Sequence, residues 1–319
     1  MSIEASNEVV EYRQLGRTDL KVSVLGFGAA PLGDVYGAVD HAEAARAVHI
    51  AIERGINFFD VSPYYGLQLA EQRLGEALVG KRDKIVLASK GGRYGLDHFD
   101  FSAKSMIGSV DASLRRLKTD RLDLLQAHDV EFGDFRQIVQ ETLPALRRIQ
   151  ESGKARFIGI TGYPPKFLAR IATQVPVDTI LSYCHYNLLT TNMDDELTPF
   201  AKTNSVGLIN ASALHMGVLT ERGVPAWHPA PREVHQAGQR IAELCARSGK
   251  SVAATSLRFA LDHPYVSSTL VGMATQAEVL ANLRLFQTKS DPALLAEIRA
   301  TISSAFNVDW PSGNPENNA

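Results

Sequence analysis

The sequence predicts a single (β/α)8 barrel. Three observations carry this reading. Eight short apolar runs rich in β-branched residues recur along the chain, a stretch of helical periodicity follows each, and no linker or low-complexity segment divides the 319 residues. The runs are Val24 to Ala29, Ile56 to Asp60, Ile85 to Lys90, Leu122 to His128, Phe157 to Thr161, Thr179 to Cys184, Gly207 to Ser212 and Ser267 to Gly272. Near-continuous apolar strands alternating with helices are the pattern of a parallel sheet buried on both faces. Eight units in one uninterrupted series argue for closure into a barrel, with an open doubly wound sheet as the alternative.

The helical segments follow in order. Glu43 to Arg54 places Ala44, Ala47, Val48 and Ala51 on one face, and Gln68 to Val79 places Leu69, Leu74 and Leu78. Ser102 to Leu117 opens on a serine suited to cap it and repeats Ile107, Val110, Leu114 and Leu117. Phe135 to Glu151, Pro165 to Thr173, Met193 to Thr203, Arg232 to Arg247 and Gln276 to Leu285 continue the series. Several pieces stand outside it. Tyr12 to Leu15 and Leu20 to Val22 flank Gly16-Arg17-Thr18-Asp19, a β-hairpin placed to close the N-terminal end of the barrel. Gly217 to Pro231 is a long proline-rich loop, and Ser251 to Leu261 and Pro292 to Ser304 are extra helices. Residues 1–10 and 311–319 are expected to be loosely packed ends of one domain spanning 1–319.

Composition narrows the function. A formal charge of −2 gives no support for nucleic acid or an anionic membrane as a partner. No apolar run approaches the length of a membrane span, and the first twenty residues are too polar for a signal peptide. The two cysteines, Cys184 and Cys245, make no disulfide framework, and no metal-ligand spacing exists. The expectation is a cytoplasmic enzyme, a monomer or weak homo-oligomer, acting on a small molecule.

In a (β/α)8 barrel the active site lies at the C-terminal ends of the strands. Those ends carry Asp60, Lys90 and His128 on consecutive strands, with Tyr65 five residues after Asp60. Alone, each has a bland reading: a turn cap, a solvated lysine, a satisfied core histidine. Together they converge, because adjacent strands lie about 4.7–4.9 Å apart. A free tyrosine has a pKa of about 10 and is a poor base near neutrality. A cation within about 4–6 Å lowers that value. Lys90 is expected to supply the cation, Asp60 to hold Lys90, and His128 to position the reacting oxygen. Hydride transfer requires a nicotinamide, because no side chain carries hydride.

These residues resemble the aldo-keto reductase family. The resemblance rests on Phe58-Phe-Asp-Val-Ser-Pro-Tyr-Tyr-Gly66, Leu87-Ala-Ser-Lys90, Leu124-Leu-Gln-Ala-His128, Gly153-Lys-Ala-Arg-Phe-Ile-Gly-Ile-Thr-Gly162 and Tyr186-Asn-Leu188. It implies a catalytic tetrad of Asp60, Tyr65, Lys90 and His128. Leu181 to Tyr186, His128 to Phe132, Trp227 to Ala230 and Trp310 to Gly313 resemble its sugar-oxidising branch, the L-galactose and L-fucose (D-threo-aldose 1-) dehydrogenases, with pyridoxal 4-dehydrogenases close by. The implied reaction is oxidation of a cyclic sugar at C1 to a lactone. Arg93, Tyr94, Asp129 and Glu131 are then candidates to hydrogen-bond sugar hydroxyls.

Cofactor positions depart from the commoner family pattern. Thr161-Gly162 replaces the amide pair that usually holds the nicotinamide carboxamide, Tyr183 replaces a glutamine, and Ala211 stands where an aromatic usually stacks. Tyr183 becomes the candidate stacking residue, and Ser212, Leu214 and Gly217 the loop along the dinucleotide. After the last strand, Gly272, Thr275, Glu278 and Asn282 replace the lysine and arginine of NADP-dependent relatives. A carboxylate at 278 repels a 2′-phosphate and accepts from a free 2′-hydroxyl, so NAD is expected over NADP. The bland reading of Glu278 is an acid in the first turn of a helix. An NADPH-dependent carbonyl reductase, a Schiff-base aldolase using Lys90 and a nucleotide sensor are the rival functions.

Overall fold

A computed structural model describes residues 10–318. Eight parallel strands close into a barrel: β3 (Leu25–Gly28), β4 (Phe58–Asp60), β5 (Val86–Gly91), β6 (Leu122–Ala127), β7 (Ala155–Gly162), β8 (Thr179–Tyr183), β9 (Gly207–Ala211) and β10 (Ser268–Gly272). β10 pairs with β3, Thr269 level with Leu25, so the sheet has no free edge and the open-sheet alternative falls away. Each strand lies within two or three residues of its predicted run, because an apolar run between turn residues is itself the signature of a buried parallel strand.

The outer layer is α1 (His41–Glu53), α2 (Leu69–Ala77), α3 (Ala103–Arg116), α4 (Phe135–Gln137), α5 (Leu143–Glu151), α6 (Pro165–Gln174), α7 (Met193–Asn204), α8 (Arg232–Arg247), α9 (Val252–Leu261), α10 (Gln276–Arg284) and α11 (Pro292–Thr301). Ser102 caps α3 as expected, its hydroxyl accepting from the Ser105 amide at 3.2 Å. The predicted helix from Phe135 to Glu151 is interrupted by a π-helical turn over Ile138–Thr142. Pro144 lies just beyond it and has no N–H to continue the i→i−4 ladder. The main core fills the layer between strands and helices.

The predicted hairpin forms from β1 (Tyr12–Gln14) and β2 (Lys21–Ser23). It plugs the lower end of the barrel: Leu15, Leu20 and Val22 pack on Phe58, Val86, Leu124, Leu181, Ile209 and Leu270 from inside the barrel. The barrel is therefore open to ligands only at the C-terminal ends of its strands.

The expectation for the C-terminus needs correction. Residues 311–318 are bound to the barrel mouth: Asn317 is buried, and Ser312, Asn314 and Asn317 all hydrogen-bond to the segment 131–133 after β6. A polar, Pro/Gly-rich composition suggests looseness, but here the asparagine side-chain amides donate to buried and half-buried backbone carbonyls. At the other end, residues 1–9 lie outside the described residues, while Val10 packs into the core. Among the described residues no helix is long and apolar enough to cross a membrane, and no group of side chains is arranged to hold a metal ion.

Candidate active site

Strand register brings three of the four candidate residues together. Asp60 is level with Ala88 across the β4–β5 pair. Lys90, two residues on, points to the same side one layer higher. Lys90 is in turn level with Gln126, and His128 follows two residues later. Tyr65 arrives from the turn after β4, whose course depends on close backbone packing. Gly66 has φ +60°, and a Cβ there would land on the Gly33 carbonyl. Gly33 likewise lies against the Tyr65 carbonyl, where a Cβ would be only 2.7 Å away. Two glycines thus seat the tyrosine-bearing turn on the segment after β3.

Lys90 is fully buried and fully satisfied. Its ammonium donates to Asp60 Oδ1, to the Val61 carbonyl at 3.1 Å and to the Tyr65 hydroxyl at 3.2 Å. Three donors meet three acceptors, which leaves no lone pair for the nucleophile an aldolase would need. Gln126, which sequence reasoning missed, donates to Asp60 Oδ2 at 3.0 Å. The signal was available: Gln126 lies in the apolar run of β6, where a buried amide needs a partner.

His128 presents one edge to the same point. Its ring meets the Tyr65 ring edge-on at 5.7 Å between centroids. Nδ1 lies 2.9 Å from Ser62 Oγ, and Ser62 Oγ also accepts from the Tyr64 amide at 3.1 Å. Asp129 Oδ1 stands 3.7 Å from Nε2. A carboxylate on that side favours the proton on Nε2, with Ser62 donating to Nδ1. Ser62 is a second residue missed from sequence, although it sits inside the motif between Asp60 and Tyr65. Burial, with smaller contributions from Lys90 and Arg93, pushes the His128 pKa down to about 3, so the ring is neutral.

The electrostatics correct one expectation. Lys90 was expected to draw the Tyr65 pKa down. Instead burial, and next the Asp60 carboxylate, hold it above the ordinary phenol range. The Lys90 charge is cancelled by Asp60, so the phenol faces a neutral pair. Burial likewise raises the Asp60 carboxyl, against the pull of Lys90.

The candidate sugar residues separate. Arg93 pairs with Asp129 at 2.5 Å and lies over the Tyr64 ring at 3.9 Å, beside the tetrad. Tyr94 turns outward, accepting from Ser105 on α3 at 3.2 Å and lying against His98. Glu131 is fully buried and bonded inside the protein: its Oε1 accepts from the Tyr163 amide, the Tyr183 hydroxyl and the Ser312 hydroxyl at 3.1–3.2 Å. The Glu131 side chain is therefore committed inside the protein, while the Tyr94 hydroxyl accepts from α3 and keeps its own proton to donate.

The candidate cofactor residues ring the same mouth. Thr161 is the penultimate residue of β7, but its hydroxyl is engaged with Asp129, accepting from the Asp129 amide at 3.0 Å. Gly162 is explained by its neighbour, since a Cβ there would lie 2.5 Å from Glu131 Oε2. Tyr183 is half-buried at the end of β8. After β9, Ser212 and the run His215-Met216-Gly217 adopt left-handed backbone, around the half-buried Leu214. The turn is closed on itself, the His215 amide donating to the Ser212 carbonyl at 2.8 Å and the Gly217 amide to the Leu214 carbonyl at 3.0 Å. Gly272 ends β10, Thr275 caps α10, and Asn282 lies half-buried on it. Glu278 closes a capping box: its Oε2 accepts from the amides of Ala274 at 2.8 Å and Thr275 at 3.1 Å. Glu43 on α1, which the sequence marks only as a helix start and not as a site residue, accepts from the Gln276 amide at 2.9 Å.

Comparison with known proteins agrees with this geometry. The model of the Aldo/keto reductase family matches residues 24–303. The chain is 44% identical to L-galactose dehydrogenase of Arabidopsis thaliana, covering 97% of this chain and 99% of the other. It is 31% identical to D-arabinose 1-dehydrogenase of Saccharomyces cerevisiae, covering 92% and 95%, and 29% identical to D-threo-aldose 1-dehydrogenase of a Pseudomonas species, covering 88% and 94%. Among solved structures, an aldo-keto reductase from Bacillus halodurans in its holo form superposes with a TM-score of 0.79 at 26% identity, covering 98% and 100%. With the barrel closed, the four polar groups in contact at its mouth and this likeness along nearly the whole chain, the protein belongs to the aldo/keto reductase family of oxidoreductases.

Proposed function

We propose that this protein oxidises an aldose of the L-galactose or L-fucose type at C1 to the aldonolactone, with NAD as hydride acceptor. The observation that carries the reading is the Tyr65 hydroxyl bonded to a buried, fully paired Lys90 beside a neutral His128. The sugar-dehydrogenase relatives supply the substrate class. Bound at the mouth, NAD supplies the carbon that takes the hydride and, when oxidised, a positive ring charge. Tyr183 and the loop Ser212 to Gly217 are the residues to hold it. His128 donates from Nε2 to the C1 oxygen and fixes its position. The Tyr65 phenol first gives its own proton to solvent; its oxygen, to which Lys90 donates, then takes the C1 hydroxyl proton as the hydride leaves C1 with its electron pair to give the lactone carbonyl. Asp60 keeps Lys90 charged. Arg93 and Asp129 face the sugar hydroxyls.

The choice of NAD is supported by the start of α10. The amides of Ala274, Thr275 and Gln276 are all taken by carboxylates, from Glu278 and Glu43. A 2′-phosphate would find these donors spent and two negative charges beside it. Glu278 Oε1 takes no part in the capping and is left for a ribose hydroxyl. One observation favours the reverse reaction: a phenol held above its ordinary pKa is an acid, which carbonyl reduction needs.

Assay of L-galactose, L-fucose, D-arabinose and pyridoxal with NAD and NADP, in both directions, tests the reading. Turnover is expected with an aldose and NAD, and Tyr65→Phe is expected to bind cofactor yet lose turnover. Glu278→Arg combined with Glu43→Gln is expected to move the NAD/NADP ratio of kcat/KM by at least tenfold toward NADP. Turnover of carbonyl substrates with NADPH alone would reverse the assignment.

A further inference from the structure

We propose that Glu131 acts as an uncharged carboxylic acid, a positioning residue that clasps Tyr183 and the C-terminal segment 310–318 to the barrel mouth. The inference uses the reading of Tyr183 as a cofactor-facing residue, but its main test needs neither cofactor nor substrate.

The argument starts from the two carboxyl oxygens. Oε1 accepts from three donors, the Tyr163 amide, the Tyr183 hydroxyl and the Ser312 hydroxyl. Oε2 is buried with no hydrogen-bond partner. An ionised carboxylate spreads its charge over both oxygens, and a buried half-charge without a donor is costly. A proton on Oε2 removes that charge and leaves Oε1 as a carbonyl that the three donors still bond. No lysine or arginine pairs with Glu131 among the described residues.

Burial and the nearest charge act in the same direction and outweigh the Tyr183 and Tyr163 donors, which favour the charged form. The titratable and charged groups around Glu131 are Asp129 on its own turn, with Arg93 and His128 beside that carboxylate, Tyr163 and Tyr183 at the ends of β7 and β8, and Asp309 behind Tyr163 in the tail. Arg93 is already paired with Asp129. Burial first, and the Asp129 charge next, push the Glu131 pKa up to about 8. Gly162 leaves the space that Oε2 fills.

The clasp reaches two parts of the mouth. The backbone carbonyl of Glu131 accepts from the Asn314 amide at 2.9 Å and from Asn317 Nδ2 at 2.8 Å, while its side chain holds Ser312. Trp310, at the start of the docked segment, lies on Tyr163 at 4.5 Å between ring centroids, and the Tyr163 amide is another Glu131 donor. Ionisation of Glu131 would place a charge under Tyr163, Tyr183 and Ser312 together.

The test uses Trp310 as reporter. Trp227→Phe, an exposed position, leaves Trp310 as the sole tryptophan. In that background Trp310 fluorescence is expected to change with a midpoint near the value of about 8 for Glu131, and Glu131→Gln is expected to keep the neutral-pH signal while abolishing the change. The affinity for NAD, read by quenching, is expected to weaken over the same range only when Glu131 is present. A transition that persists in Glu131→Gln, or no transition between neutral and alkaline pH in its parent, overturns the proposal. Should Glu131→Gln fail to fold, infrared difference spectra of the parent decide: a protonated carboxyl band lost on alkaline titration supports the clasp, and none at neutral pH overturns it. A fluorescence transition without any turnover of sugars would leave the clasp standing and remove the function proposed above.

Discussion

The pair of Asp60 and Lys90 offers the sharpest quantitative test of the site. Both residues are 2% exposed and in direct contact, and Gln126 holds the second Asp60 oxygen. Replacing Asp60 by Asn keeps the shape and removes only charge. The new amide oxygen accepts from Lys90, and its NH2 can donate to Gln126 once that amide turns over, because Gln126 Oε1 has no partner at present. The remaining cost is an unpaired buried ammonium, about 3–5 kcal/mol when such a pair is broken. Proton loss sets a ceiling. Neutralising a lysine of pKa about 10.4 at pH 7 costs roughly 4.6 kcal/mol, at about 1.4 kcal/mol per pH unit. Unfolding a chain of 319 residues releases roughly 0.67 kcal/mol per kelvin at about 2.1 cal/mol/K per residue, so Tm should fall by about 4–8 °C at pH 7.

The sign of the pH dependence separates the two partners. In Asp60→Asn the folded state sheds a proton that the unfolded state keeps, so its deficit shrinks as pH rises, toward a ceiling of roughly 2 kcal/mol at pH 9. In Lys90→Met the folded state holds Asp60 protonated while the unfolded carboxylate is ionised, so its deficit shrinks as pH falls. Calorimetry or denaturant titration of both variants at pH 5, 7 and 9 measures this directly. A deficit in Asp60→Asn below about 1 kcal/mol, or one that does not change between pH 7 and 9, would refute a buried pair of opposite charges.

Two further outcomes concern histidines. Ser62→Ala removes the 2.9 Å contact to His128 Nδ1 and frees the tautomer; kcat is expected to fall about tenfold, near the upper worth of one net hydrogen bond, with KM little changed. Nitrogen NMR of the imidazole reads the tautomer itself, and an unchanged spectrum would dismiss the role of Ser62. Burial holds His215 neutral with its pKa down to about 3, while an unfolded histidine takes a proton near its ordinary value of 6.5. The stability this histidine contributes is full above that value and is lost as pH falls toward the folded pKa. His215→Gln lacks this loss, so its stability relative to wild type should rise by about 1.4 kcal/mol per pH unit below 6.5, measured by denaturation at successive pH values; parallel curves would count against a buried neutral ring.

Much of the architecture was legible one residue at a time. Strands of a parallel barrel are buried on both sides, so their apolar runs reveal order and bounds without any knowledge of partners. The tetrad was legible for a related reason, since the end of a strand marks the barrel mouth and consecutive strands are neighbours. Ser62 and Gln126 were within reach of the same logic, because both lie in the segments that carry the tetrad. Glu43 was not, since its bond to the Gln276 amide joins residues 233 positions apart in sequence.

The sequence alone determined the barrel, its hairpin plug and the meeting of Asp60, Tyr65, Lys90 and His128, because each depends on local periodicity and on strand order. Only the tertiary structure decided which charges those groups carry and what Glu131, Glu278 and the C-terminal segment do. Desolvation depends on every atom around a group, and contributions from distant segments decide it: Asp60 cancels Lys90 beneath Tyr65, and the tail and β8 enclose Glu131. Residue type predicts a solvated carboxylate at position 131, and burial turns it into an internal hydrogen-bond acceptor.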